Sequence, residues 1–292
     1  MVAAWHTVRI NPLTERKPTG FFFDSSLETA MSTPKHIRTE WDDDVARVVM
    51  ERTDRHNAMD ERMANALAER VSDLAADESV RCLVLTGTGS VFNTGADLST
   101  FEGDETDADR LEAIAEPLHD TVSTIVDAPV PVVAGVNGVV AGGGMGLALA
   151  SDIVLASSDA RFEYAYPKIG LSGDGGATWL LPRLVGRRTA QRIAFLDEPI
   201  SANEAVDIGI ATEVVDDEAF DNRLEGIATS LASGPTKAYG EIKRLFRASS
   251  TNSLNEHLDL EQERITSLAD TGDYAAGLQG FLEKEPPTFE GE

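Results

Sequence analysis

Two glycine-rich turns, each following a short apolar run, constrain the fold of this chain more than any other feature. The first, at 91–98, follows an apolar run at 80–86, and the second, at 137–146, follows a run at 130–136. Short apolar runs bounded by glycine indicate buried strands. Each turn therefore places a main chain with few side chains at the end of a strand, where a ligand can approach backbone N–H groups.

Strands and helices alternate along most of the chain. Strands are predicted at 45–51, 80–86, 130–136 and 153–156, helices at 59–77, 111–126 and 145–151, and further helices at 237–246, 254–268 and 274–282. This order predicts an α/β core at 31–232 and a C-terminal helical region at 233–292. Residues 1–30 show little periodicity and are predicted to be a disordered extension, with Met31 as an alternative start.

The charge of the chain excludes several classes of partner. Its 292 residues hold 25 Lys and Arg against 50 Asp and Glu, a net charge of −25. Such a chain repels nucleic-acid phosphates and anionic membranes, so we expect neither as a partner. Few of the basic residues are lysine, and an acidic, lysine-poor composition is typical of proteins that work in high salt. An ordinary acidic cytosolic protein is the alternative. Because no apolar stretch is long enough to span a bilayer and the first residues lack a secretory pattern, we expect the protein in the cytoplasm.

Common cofactor and nucleophile signatures are missing from the sequence. It has no P-loop, its five histidines lack metal-ligand spacing, and its one cysteine, Cys82, lies in an apolar run typical of a core strand. We therefore predict no metal site and no cofactor. The two glycine turns remain, either as tight turns or, if their N–H groups converge, as an oxyanion hole.

The two turns form part of an ordered set of motifs. The set resembles the enoyl-CoA hydratase/isomerase (crotonase) family over about residues 40–289. The matching motifs are Arg52-x-x-x-x-Asn57-Ala58, Phe92-x-x-Gly95-Ala96-Asp97-Leu98, Gly138-x-x-x-Gly142-Gly143-Gly144-x-x-Leu147-Ala148, Asp152-Ile153, Phe162, Gly176-x-Thr178-x-x-Leu181-Pro182-Arg183, Glu204-Ala205-x-x-x-Gly209 and Phe281-Leu282-Glu283-Lys284.

The resemblance implies a fold, an activity and an assembly. The fold is a spiral of ββα units with a C-terminal helical trimerisation region, and the activity is chemistry on acyl-CoA thioesters through an enolate. Coenzyme A belongs to the substrate, so no separate cofactor is implied. We expect a homotrimer or a hexamer formed as a dimer of trimers.

The resemblance also implies roles for individual residues. The N–H groups of Ala96 and Gly143 occupy the oxyanion-hole positions, with Gly142 beside them. The backbone from Gly95 through Ala96 and Asp97 to Leu98 is expected to lie along the CoA. Arg52, Arg55 and Lys284 are candidates for its phosphates.

The sequence departs from the family at the two glutamates that hydratases use. The first position holds Gly146 and the second holds Tyr166, and tyrosine is a poor base at neutral pH. Glu163 lies near the second position on a predicted strand. One carboxylate, Asp174, stands in a run similar to the ring-1,2-epoxyphenylacetyl-CoA isomerase branch, whose members use a single aspartate. Asp174 could instead be a turn or cap residue among its glycines.

One carboxylate favours isomerisation, because it can take a proton from one carbon of an enolate and return it to another. We therefore predict an isomerase of unsaturated acyl-CoA with Asp174 as acid and base. The alternatives are a hydratase that uses Asp174 and water, and a non-catalytic acyl-CoA-binding protein. The acyl pocket is expected to form from the loop at 99–110 and the C-terminal helices, which leaves aliphatic and aromatic substrates both open.

Overall fold

The computed structural model describes residues 36–292, and over this range the chain forms ten strands and nine α-helices. The strands are β1 (Ile37–Asp42), β2 (Val45–Met50), β3 (Cys82–Gly87), β4 (Val91–Asn93), β5 (Val132–Val136), β6 (Val139–Ala141), β7 (Ile153–Ser157), β8 (Arg161–Glu163), β9 (Ile200–Ser201) and β10 (Glu213–Val215). The helices are α1 (Glu61–Ala76), α2 (Asp107–Asp127), α3 (Gly143–Ala150), α4 (Ala177–Leu196), α5 (Ala202–Asp207), α6 (Phe220–Ala232), α7 (Thr236–Ala248), α8 (Leu254–Leu268) and α9 (Gly272–Glu283). The extension predicted at 1–30 lies outside the described residues.

The strands form two sheets. The larger has the order β1-β2-β3-β5-β7-β10 and the smaller the order β4-β6-β8-β9. Neighbouring strands are parallel in both sheets, except that β1 pairs antiparallel with β2 and β9 with β8. Parallel pairing needs a crossover between neighbours, and helices supply it here.

The chain visits the two sheets in turn. β3 joins the large sheet, β4 the small sheet, and α2 follows; the same sequence recurs as β5, β6 and α3, and again as β7, β8 and α4. The predicted spiral of ββα units is therefore confirmed. Because β4, β6 and β8 are parallel neighbours, the segments that leave their carboxyl ends meet at one edge of the small sheet.

The structure corrects two details of the predicted elements around the glycine turns. The segments 91–98 and 137–146 are not turns throughout, because each contains a short strand, β4 or β6, which the sequence reading missed because it has only three residues. Helix α3 begins at Gly143 and not at 145, because Gly142 takes a positive φ of 51° and turns the chain into the helix. Glycine adopts that conformation without the steric penalty of a Cβ.

Two layers of apolar side chains hold the sheets and helices together. The main core lies between the sheets and α1 to α4, and a smaller core packs α6 on the outer face of β2, β3, β5 and β7. Cys82 belongs to this second core, and burial raises the pKa of its thiol to about 12. No helix in residues 36–292 has the length and apolar content that a bilayer crossing requires.

Candidate active site

In the first glycine turn, the backbone N–H of Ala96 points away from Met59, the residue with which Ala96 pairs. Met59 pairs with Ala96 in a parallel bridge: the Met59 N–H donates to the Gly95 carbonyl at 2.7 Å, and the Asp97 N–H donates to the Met59 carbonyl at 2.8 Å. In such a bridge the central residue's own N–H points to the opposite side. The Ala96 N–H is therefore left free for a ligand.

The second turn supplies another N–H group next to the first. Gly143 is the first residue of α3, so its N–H has no acceptor one turn earlier within the helix. A methyl group built on Gly95, whose φ is +81°, would lie 2.8 Å from the Gly143 nitrogen. Only glycine at 95 lets the two turns approach this closely. The partial positive charge at the start of α3 adds to the attraction for a negative oxygen.

Two buried asparagines hold the first turn in shape. Asn93 accepts a hydrogen bond from the Gly95 N–H at 2.8 Å and donates to the Asn57 carbonyl at 2.7 Å. Asn57 accepts from the Arg52 N–H and donates to the Val91 carbonyl, both at 2.8 Å. Both side chains are fully buried, so each hydrogen bond would be costly to lose.

A cavity of about 450 Å³ opens in front of the two N–H groups. Most of its wall is apolar. It is lined by the two turns (Thr94, Ala96, Leu98, Gly142, Gly143), by α2 (Leu111, Glu112, Ile114, Ala115, Leu118) and by the segment before α4 (Ala165, Tyr166, Lys168, Ile169, Leu171, Ser172, Gly173, Asp174). An apolar pocket with a few polar groups is typical of a small-molecule site. The acyl pocket was predicted to form from the loop at 99–110 and the C-terminal helices, but among the described residues neither contributes to the lining, and α2 does so instead.

Asp174 faces this cavity with its side chain 35% exposed, and it lies in hydrogen-bond contact with His119. Asp174 Oδ1 contacts His119 Nε2, and His119 stands on α2. The Asp174 main-chain carbonyl also accepts from the Ala177 N–H at 3.1 Å, so the residue forms the turn that leads into α4. The turn role and the cavity role considered for Asp174 are thus both present in the structure.

Comparison with known proteins agrees with this geometry. The sequence profile described as "Enoyl-CoA hydratase/isomerase" matches residues 40–292. The chain belongs to this family.

Relatives with different named reactions match most of the chain. The 1,2-epoxyphenylacetyl-CoA isomerase of Escherichia coli K12 is 38% identical over 250 residues, which cover 85% of this chain and 95% of that protein. A Rhodobacter capsulatus protein named "Probable enoyl-CoA hydratase" is 36% identical over 255 residues, which cover 87% of this chain and 98% of that protein. The crystal structure of an enoyl-CoA hydratase from Polaromonas sp. JS666 is 29% identical with a TM-score of 0.80, covering 87% of this chain and 99% of that one.

The structure shows what stands at the two positions where the family's hydratases carry glutamate. Gly146 lies buried inside α3. Tyr166 is 8% exposed, and its hydroxyl makes no hydrogen bond with the described residues. Burial, followed by the nearby charge of Asp174, raises the pKa of Tyr166 well above its usual range, so the phenol stays neutral. Glu163 points elsewhere and pairs with Lys168 at 2.9 Å and Arg161 at 3.0 Å.

The predicted phosphate ligands differ in their surroundings. The structure does not support Arg52 as one, because its guanidinium is 11% exposed and pairs with Asp97 at 2.8 Å, Asp60 at 3.3 Å and the Ala58 carbonyl at 2.7 Å. Arg52 instead anchors the turn that holds Ala96. Arg55 is exposed, Lys284 is exposed at the end of α9, and neither lines the cavity; their CoA role stays a prediction.

Sequence reasoning missed several polar residues at the cavity: Thr94, Glu112, Lys168 and Ser172 in its lining, and His119 beside it. Glu112 lines its rim as an exposed residue, and His119 contacts Asp174. Both lie on α2, seven positions apart, and with Ala115 they share one face of the helix. That spacing was readable from the predicted helix. The partner of His119 was not, because Asp174 lies 55 residues away along the chain.

No cluster of three or more His, Cys, Asp or Glu side chains able to hold a metal ion occurs in the described part of the chain. The site holds two N–H groups, the carboxylates of Asp174 and of Glu112 at the rim, the ammonium group of Lys168, one histidine and an apolar wall. Such a set can stabilise a negative oxygen and move a proton.

Proposed function

We propose that the protein isomerises an unsaturated acyl-CoA, shifting a double bond or rearranging a ring, with Asp174 as the proton carrier. The observation that carries this proposal is that Asp174 shares its cavity with the N–H groups of Ala96 and Gly143, while the two hydratase glutamate positions hold Gly146 and a neutral Tyr166. The E. coli relative is named as an isomerase, which agrees with the proposal.

The reaction needs one group to take and return a proton. With a 3-enoyl-CoA, Asp174 takes a proton from C2, and the bonding electrons move toward the thioester oxygen to give an enolate. The Ala96 and Gly143 N–H groups donate to that oxygen; each such donor is worth roughly 3–4 kcal/mol in the transition state. The enolate then takes the proton back from Asp174 at C4, and the double bond moves to C2–C3.

Hydration is the second candidate, and one observation favours it. His119 contacts Asp174, so the cavity edge holds two groups able to bind protons. Such a pair could orient a water molecule for addition to a 2-enoyl-CoA. The R. capsulatus relative carries a hydratase name.

One assay separates these candidates. The absorbance of the conjugated enoyl group is followed with a 3-enoyl-CoA and with a 2-enoyl-CoA, for the wild type, Asp174→Asn and the control Asp120→Asn. Asp120 is exposed on α2 beside His119 and does not line the cavity. A rise with the 3-enoyl substrate that only Asp174→Asn abolishes supports the isomerase. A fall with the 2-enoyl substrate means hydration, and no change with either leaves aromatic acyl-CoA substrates or a binding role.

We propose that the chain assembles as a homotrimer or as a dimer of trimers. Large apolar side chains on the C-terminal helices face outward, each at least half exposed in the single chain: Phe246, Leu254, Leu258, Ile265, Phe281 and Leu282. Large apolar side chains exposed in such number on one region of the chain are typical of an interface. Native mass spectrometry in a volatile salt should give three or six copies, and a monomer mass would contradict the proposal.

We propose that catalysis requires no metal and no cofactor besides the CoA of the substrate. Proton transfer through a carboxylate and charge stabilisation by N–H groups need neither. Activity should therefore survive extensive dialysis against a chelator. A loss that added divalent metal restores would overturn this proposal.

A further inference from the structure

The segment that carries Asp174 lies on one face of helix α3. Gly143 and Gly146 are three residues apart and share that face. A methyl group built on Gly146 would lie 1.9 Å from the Gly175 carbonyl oxygen, and one built on Gly175 would lie 3.3 Å from the Gly143 carbonyl oxygen. Gly175 therefore contacts the same short helix that supplies the Gly143 N–H.

No side chain fits at position 146 while this segment keeps its place. The atoms that a methyl group would meet belong to the Gly175 main chain, which cannot rotate aside as a side chain can. An ordinary contact of 3.4 Å would require the two backbones to separate by about 1.5 Å. Gly175 is the residue next to Asp174, so the carboxylate would move with it.

A tyrosine holds the same segment from another side. The Tyr164 hydroxyl donates to the Ser172 carbonyl at 2.7 Å, and Tyr164 is 4% exposed. Gly173, with a φ of +142°, passes so close that a methyl group on it would lie 2.1 Å from the Tyr164 oxygen. The segment from Ser172 to Gly175 is thus fixed at both of its ends.

We infer that Gly146 and Tyr164 are positioning residues that set the distance between the Asp174 carboxylate and the Gly143 N–H. It follows that a carboxylate at 146 and a working Asp174 exclude each other in this chain. Asp174 then reaches its working position only when residue 146 is glycine. Glutamate at 146 would displace Asp174 and would not add a second catalytic group. This inference rests on the proposed function for the role of Asp174 as proton carrier.

The first test is Gly146→Ala, with Gly226→Ala as its matched control. Gly226 also lies inside a helix, and a methyl group there meets nothing within 4 Å. A displacement of about 1 Å can cost a hundredfold in rate. We expect Gly146→Ala to lower kcat about 100-fold with KM within about threefold of the wild type, and Gly226→Ala to change neither. An unchanged kcat in folded Gly146→Ala would overturn the inference.

The second test is Tyr164→Phe, which keeps the ring and removes only the hydrogen bond, and so serves if Gly146→Ala does not fold. We expect kcat to fall about tenfold with KM unchanged, as for loss of positioning alone. A wild-type kcat in Tyr164→Phe, or a loss that appears in KM alone, would overturn the role of Tyr164.

Crystal structures of the wild type and of each folded variant separate this inference from the proposed function. We expect the distance from the Asp174 carboxylate to the Gly143 nitrogen to change by 1 Å or more in Gly146→Ala; this readout does not depend on the reaction. If the carboxylate is displaced in Gly146→Ala but Asp174→Asn keeps the wild-type activity, only the proposed function is refuted. An undisplaced carboxylate would refute the positioning role, as would a Gly146→Glu variant that keeps the isomerase activity and gains hydration.

Discussion

At the scale of single residues, the contact between His119 and Asp174 gives the site a feature that the motifs did not contain. His119 is 54% exposed, so its interaction with the carboxylate is partly screened by solvent. We expect His119→Asn to lower kcat about five- to tenfold with little change in KM, because the carboxylate loses an orienting partner. Steady-state kinetics check this, with His56→Asn as control, since His56 is exposed and has a positive φ that asparagine tolerates. Equal kinetics in both variants would show that His119 does not orient Asp174.

The buried pair of Arg52 and Asp97 leads to a prediction about stability and pH. Burial raises the pKa of Asp97, but hydrogen bonds from Ser99 and the Arg52 guanidinium outweigh it and hold the pKa below its usual range. A carboxyl whose pKa is lower in the folded than in the unfolded protein stabilises the fold at a pH above its unfolded-state pKa of about 3.9. This contribution to the free energy of unfolding is lost as the pH falls through the folded-state pKa.

We therefore expect Arg52→Met to lower the free energy of unfolding by about 3 kcal/mol at pH 7, because Asp97 is left buried without its partner. The difference from the wild type should narrow as the pH falls below about 4, where Asp97 of the unfolded chain takes up a proton and the advantage of the charged pair is progressively lost. Urea unfolding at pH 7 and pH 3.5 measures both values. A deficit that is equal at the two pH values would show that Asp97 is not responsible.

The sequence predicted site residues well where their chemistry lies in the main chain or in a motif. Ala96, Leu98, Gly142, Gly143 and Asp174 all line the cavity. For Arg52 the sequence shows a scarce cation, but it does not show the buried carboxylate of Asp97 that pairs with it.

At the scale of helices and strands, one partly buried ion pair attaches α7 to the core. Lys243 of α7 contacts Asp152 at 2.7 Å, and Asp152 also accepts from the Val132 N–H at 2.8 Å. Burial raises the pKa of Asp152 and lowers that of Lys243, so each depends on the other to stay charged.

We expect Lys243→Met to lower the free energy of unfolding by about 3 kcal/mol, since it leaves Asp152 unpaired. Adding Asp152→Asn should recover most of that loss, because the unpaired charge is gone. Urea unfolding of the wild type, Lys243→Met, Asp152→Asn and the double variant gives the double-mutant cycle that measures the interaction. A double variant as unstable as the sum of the singles would contradict the pairing.

Some elements were predictable from their periodicity, and others were missed, among them the three-residue strands and the long helix α4, which a positive φ at Gly186 interrupts. Helices α1, α2 and α8 and the buried strands were anticipated to within a few residues. The three-residue strands β4 and β6 carry no readable period, although they bring the two turns together. The cavity wall that α2 forms depends on how the ββα units wind around each other, and local sequence patterns do not encode that winding.

At the scale of the whole molecule, a net charge of −25 opposes compaction. Salt screens this repulsion, with a Debye length of about 3 Å at 1 M. We expect the thermal midpoint to rise by roughly 5 °C between 0.1 and 2 M KCl, corresponding to about 2 kcal/mol. Thermal unfolding followed by circular dichroism checks this, with sucrose as a control that does not screen charge. A midpoint that does not rise would contradict a surface adapted to high salt.

The two-sheet winding is the property of the whole molecule that the residue patterns alone left open. Alternation of strands and helices predicted an α/β core, but it did not say that successive strands join different sheets. The ordered motifs supplied that part, because their resemblance implied the spiral of ββα units that the structure confirms.

The most direct test of the account is hydrogen exchange at the carbon next to the thioester. An acyl-CoA that the enzyme turns over is incubated in D₂O with the wild type, Asp174→Asn or Asp120→Asn, and deuterium at C2 is followed by NMR. We predict that the wild type and Asp120→Asn exchange this proton, and that Asp174→Asn binds the thioester equally well but exchanges it at least about 100-fold more slowly. Exchange by Asp174→Asn at the wild-type rate would show that another group removes the proton and would contradict the central claim.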